Sequence, residues 1–158
     1  MGSEMCIRDS SEGGVIIRLA LRDLELSIDR DVPDVELILF APAIGGINLA
    51  GVRGLANGLG GALMRWSGAY NDLMGYSSLL GNLRVDTQNF AAKEAQPEPF
   101  SPWRSLNVWA ETDGVVIRDN YSCDGFKDSP GSDHFSVCKP TNHRSMSLKI
   151  VAGEVHAD

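Results

Sequence analysis

The chain of 158 residues carries 14 Lys and Arg against 21 Asp and Glu, a formal charge of -7 at neutral pH, and 43% hydrophobic residues. That is enough apolar material for one domain with a core and too little length for two. The acidic balance, with no run of Lys or Arg, excludes a nucleic-acid surface, because phosphate binding along a duplex needs clustered cations.

The longest charge-free stretch before Arg53 is LILFAPAIGGINLAGV, residues 37–52. Pro42 and three glycines break it, and it falls short of the roughly 18 to 20 apolar residues of a spanning helix, so no transmembrane segment is expected. Cys6 stands where a myristoylation signal wants Ser or Thr, and no signal peptide follows. Cys6, Cys123 and Cys138 form no CxxC pair, which favours reduced thiols and a cytoplasmic setting over a Cys123–Cys138 bridge in an exported protein. A zinc site from Cys123, Cys138, His134 and His143 lacks the close ligand pairs of structural zinc, so neither metal nor cofactor is expected.

In chain order, residues 13–30 place Val15, Ile16, Leu19, Leu24, Leu26 and Ile28 among charged residues at spacings near three and four, a helix with one buried stripe. Pro33 breaks this pattern, so the helix should end near Asp29. VELILFAP follows with almost no alternation, the pattern of a strand buried on both faces of a parallel sheet. A helix followed by such a strand predicts α/β architecture.

Residues 45–93 are helix-compatible and too long for a simple connection, which marks a helical insertion. Leu55, Leu59, Leu63, Trp66, Leu79 and Leu80 are its candidate pocket residues, although such a stripe serves equally as core. AQPEPFSPW reads as a loop. SLNVWAETDGVV reads as a strand ending in the Asp113–Gly114 turn. NYSCDGFKDSPGSD reads as a second loop delivering the chain to HFSVCKP, and residues 142–155 suit a closing helix.

A serine nucleophile needs a sharp turn that exposes its hydroxyl, a base to take the proton, and an anion to orient the base. Ser11, ahead of Gly13 and Gly14, fits the first need. The amide of Glu12 at the start of a helix would face a developing oxyanion. Asp113 at a strand end and His134 in a loop fit the other two. Each has a plain structural reading beside it: Ser11 as a helix N-cap, Asp113 as half of an Asp-Gly turn, His134 as a solvated loop residue.

SEGGVIIRLAL resembles the second half of a GHSxGG elbow in the lipase and esterase branch of the α/β-hydrolase superfamily. LILFAPAIGG resembles the strand and loop after its nucleophile helix, and DHFSVCKP the segment bearing its histidine. The resemblance covers residues 11–140, and residues 45–93 stand in the place of that superfamily's variable cap. It implies Ser11 as nucleophile, Asp113 as acid, His134 as base with His143 in reserve, the Glu12 amide in the oxyanion hole, and hydrolysis of a lipid or acyl ester through an acyl-enzyme. The implied fold is the C-terminal part of an α/β-hydrolase sheet with a helical cap and without its N-terminal strands. The alternative from another class is a non-catalytic domain of that fold that binds a partner or ligand.

Asp9 and Ser10 depart from the elbow pattern, which has Gly two residues before the serine. MCIRDS resembles a translated sequencing adapter, an origin that makes residues 1–10 a non-native leader ahead of a partial domain over residues 11–158.

Overall fold

The computed structural model describes residues 5–27, 35–48, 71–75, 77–94, 101–140 and 145–152. In chain order these form β1 (Met5–Ser10), α1 (Glu12–Glu25), β2 (Val35–Phe40), a 3-10 turn (Ala43–Gly45), α2 (Ser78–Lys93), β3 (Ser105–Thr112), β4 (Gly125–Asp133) and α3 (Met146–Val151). The four strands make one parallel sheet in the order β1-β2-β3-β4. The general α/β expectation is met: helices pack on a parallel sheet whose second strand is apolar along almost its whole length and buried at Val35, Leu37, Ile38, Leu39 and Phe40.

The stripe in α1 is Gly14, Val15, Arg18 and Leu21, residues that recur once per turn and meet the sheet. The helix stops at Glu25, one turn short of the expected Asp29. Beyond Leu21 nothing on it is buried, and Leu26 is 64% exposed, so a further turn would gain no packing. α2 opens on Ser77, whose hydroxyl accepts from the Leu80 amide. Its inner face sends Leu80, Leu83 and Phe90 into the core.

Leu79 and Leu80, expected in a pocket, therefore lie elsewhere: Leu80 is 4% exposed within the main apolar cluster and Leu79 packs against it. Leu55, Leu59, Leu63, Trp66 and His143 lie outside the described residues.

A second difference lies at β4. Residues expected in a loop, GFKDSPGSD, pair in parallel with β3 from Leu106–Gly125 to Thr112–Asp133. Pro130 and Gly131 suggest a loop locally, but they sit where the register shifts between Ala110 and Thr112, so no regular ladder bond is asked of them. Gly131, at φ 72, instead donates its amide to Glu111 Oε2 at 2.6 Å. The closing helix is the single turn and a half of α3, against β4. Met5–Ser10, read as a non-native leader, form strand β1, paired with β2 from Met5–Val35 to Ser10–Phe40.

Candidate functional site

Ser11 is the one residue between β1 and α1, and the turn there is too sharp for ordinary backbone. It has φ 53 and ψ -122, a region in which L-residues pay of order 1–3 kcal/mol and which persists only when its surroundings impose it. The surroundings do impose it. The Ser11 amide donates to Phe40 O at 3.0 Å, and the Ser11 carbonyl accepts from Ala43 N at 3.0 Å.

The two glycines that follow make room: a Cβ on Gly13 would run into the Asp9 carboxylate, and one on Gly14 would lie 3.0 Å from Pro42 Cβ. Although Ser11 occupies the N-cap position of α1, its side chain makes no capping hydrogen bond.

Its hydroxyl goes to the histidine instead. His134 Nε2 lies 3.1 Å from Ser11 Oγ, and His134 Nδ1 lies 2.9 Å from Asp113 Oδ2. Each partner is held from behind. Asp113 follows the last residue of β3, and its other oxygen accepts the amides of Val115 at 2.9 Å and Val116 at 3.0 Å. His134 follows the last residue of β4 in a turn closed by Asp133, whose Oδ1 accepts from the amides of Phe135 and Ser136 and from the Ser136 hydroxyl. Phe135 packs edge-on against the imidazole with ring centroids 5.4 Å apart.

The side chains of His134 and Asp113 are 9% and 6% exposed. Burial alone would raise the Asp113 pKa, but the hydrogen bonds from His134 and from the Val116 and Val115 amides outweigh it and hold the carboxyl below its ordinary value. An ionised Asp113 accepts from His134 Nδ1–H, which turns Nε2 toward the Ser11 hydroxyl. Such an array can take a proton from the serine hydroxyl or return one to it.

The structure thus brings together Ser11, Asp113 and His134 from three separate strand ends, and Glu12 stands at the first position of α1 beside them. Sequence reasoning passed over Asp133, although the spacing Asp133-x-x-Ser136 is a turn signal. It also passed over the buried Arg18, whose Nη2 donates at 2.6 Å to both Asp124 Oδ1 and Ser105 Oγ.

Cys123 and Cys138 are free thiols, so the bridge between them is not formed. Among the described residues no three His, Cys, Asp or Glu side chains are grouped to hold a metal, and no helix is long and apolar enough to cross a membrane. Two cavities of about 380 Å³ border the sheet, one against Phe40, Cys138 and Leu148 and one between β4 and α3; neither has a wall formed by Ser11, Asp113 or His134.

No family model matches the sequence, and no solved structure matches it. The chain is similar to UDP-N-acetylenolpyruvoylglucosamine reductase of Azorhizobium caulinodans, 34% identical over an alignment of 194 positions that takes in 100% of the chain. The chain spans 63% of that relative's length.

This similarity corrects the functional expectation drawn from the elbow. A relative named as a reductase overturns membership of the lipase and esterase branch of the α/β-hydrolases. With it fall ester hydrolysis through an acyl-enzyme and the alternative of a non-catalytic domain of that fold.

Proposed function

We propose that Ser11, His134 and Asp113 are catalytic and that their work is proton transfer at the Ser11 hydroxyl. The observation that carries this is the continuous hydrogen-bond chain from Asp113 Oδ2 through both ring nitrogens of His134 to Ser11 Oγ, ending at a serine held at φ 53. Ser11 meets the substrate, His134 exchanges the proton, and Asp113 keeps the imidazole oriented and stabilises it when charged. The Glu12 amide, at the positive end of α1, faces negative charge that develops on the substrate.

The relative's name gives the reaction class, a reduction of an enolpyruvoyl sugar nucleotide. Saturating the carbon–carbon double bond of an enolpyruvoyl group takes a hydride on one carbon, which a separate bound hydride donor has to supply and is oxidised in supplying, and a proton on the other. The serine–histidine relay is suited to the proton: Ser11 gives its hydroxyl proton to carbon and regains one from the His134 imidazolium.

The test is labelling with a fluorophosphonate, which reacts with an activated serine whatever its natural substrate. Mass spectrometry should find the label on Ser11 and should find none in Ser11→Ala. His134→Ala should slow labelling on the order of a hundredfold or more, the scale of a lost general base. Prior addition of UDP-N-acetylenolpyruvoylglucosamine should slow labelling of the unmodified chain. Absence of label overturns the catalytic serine, and label without protection overturns the substrate class.

A further inference from the structure

The cavity between β4 and α3 has a wall of a different character from the rest of this acidic chain. It holds about 380 Å³ and is lined by five serines and two lysines, drawn from the end of β4, the turn after His134 and the start of α3. Lys139 and Lys149 stand far apart from any basic run in sequence, and only the fold puts them on one cavity. Among the described residues neither ammonium has an ion-pair partner, whereas Arg18, Arg22, Arg84, Arg104 and Arg118 are each paired with a carboxylate.

A second observation points the same way. Ser129 and Ser147 are 6% and 3% exposed, yet neither hydroxyl is hydrogen-bonded among the described residues, while Ser132 and Ser136 in the same wall are. Neither hydroxyl is among the buried side-chain atoms left without a partner, so both open onto the cavity, where a bound acceptor would take the place of solvent. Among the described residues no carboxylate lines the cavity: Asp133 is engaged with its own turn and Glu111 with the Gly131 amide.

We propose that this cavity binds the phosphoryl group of a small soluble phosphorylated molecule, with Lys139 and Lys149 supplying the charge and the Ser129 and Ser147 hydroxyls donating to its oxygens. Two cations and two unmatched donors suit a tetrahedral oxyanion, and the volume lies in the range of small-molecule sites, which leaves room for an organic body beyond the phosphate. The assignment stands apart from the reading of Ser11, since no residue of that array lines the cavity.

Calorimetric titration of the chain with phenyl phosphate, with inorganic phosphate, and with phosphatidylcholine vesicles containing phosphatidic acid tests it. Saturable binding of phenyl phosphate is expected, displaced by inorganic phosphate and weakened at least tenfold in Lys139→Gln/Lys149→Gln. Ser147→Ala should weaken it several-fold. If the double variant fails to fold, Lys139→Gln alone, at an exposed position, reads the same loss. Undiminished affinity in the lysine variants overturns the site, and so does binding to the vesicles without binding of phenyl phosphate.

Discussion

His134 Nε2 lies 3.1 Å from Ser11 Oγ, a contact between residues 123 positions apart. It explains why the Ser11 side chain does not cap α1: the backbone is turned to φ 53 and ψ -122, which carries the hydroxyl off the helix axis and toward the end of β4. Glycine has no Cβ to strain in that region. Ser11→Gly should therefore be more stable than Ser11→Ala by about 1–3 kcal/mol, the scale of the strain in such conformations. Both should lose fluorophosphonate labelling. Urea unfolding midpoints of the two variants check this, and equal midpoints would show that the turn stores no strain.

Asp113 links the site to acid stability. Its carboxyl titrates below the ordinary carboxylate value in the folded chain because His134 and the Val116 and Val115 amides outweigh its burial. A depressed folded value means stability that is present above the unfolded pKa of about 3.9 and is lost as pH falls through the folded one. Asp113→Asn should flatten the acid limb of the stability curve below about pH 4 relative to the unmodified chain. Above that range it should be less stable than the unmodified chain. Denaturant titrations at a series of pH values measure both effects.

The two ends of this site were not equally legible. The helix α1 and the largely apolar run of β2 are patterns of single segments and read as such, but the sequence pattern puts the stripe of α1 on the wrong residues. Of those named, only Val15 is buried among the described residues, Ile16 and Leu26 are 56% and 64% exposed, and the buried positions are Gly14, Val15, Arg18 and Leu21. β4 is different: Lys127, Asp128, Pro130 and Gly131 give it no strand pattern, and what makes it a strand is pairing with β3, which no local window contains. The Asp133 turn that aims His134 depends on β4 ending where it does. Ser11, Asp113 and His134 could be named from residue type and order, but their closeness follows only from parallel strands β1, β3 and β4 of one sheet ending on the same side. The reaction was less legible still, because one arrangement of serine, histidine and aspartate serves unrelated folds and chemistries, so the elbow pattern alone pointed to the wrong family.

Cys123 is half-buried, and its Sγ donates to Trp103 O at 3.3 Å. Burial, reinforced by Asp124, pushes its thiol up to about 11. At pH 8 roughly one molecule in a thousand then carries the reactive thiolate. Cys6 is exposed, with a thiol that burial and Glu36 also raise. In a time course with iodoacetamide, Cys6 should be alkylated well before Cys123, and all three cysteines should react together in guanidinium chloride. Mass spectrometry of peptides resolves the sites, and equal native rates would contradict the burial of Cys123.

Arg18 and Asp124 form the most buried ion pair among the described residues, with side chains 1% and 0% exposed, and they join α1 to the loop before β4. The two partners are not equivalent. Without Arg18, Asp124 still accepts from the Ser105 amide at 3.1 Å and from Asn107 Nδ2 at 3.2 Å. Without Asp124, Arg18 keeps only the Ser105 hydroxyl and the Tyr121 ring, 4.8 Å from its guanidinium, and its Nε and Nη1 have no hydrogen-bond partner. Leaving one charge buried and unpaired costs about 3–5 kcal/mol. Asp124→Ala should therefore sit at or above the top of that range and Arg18→Met at or below its bottom. Replacing both, Arg18→Met with Asp124→Leu, should recover part of the loss because no buried charge remains. Urea unfolding of the three variants measures the order, and a double variant less stable than either single one would show that the pair stabilises the fold outright.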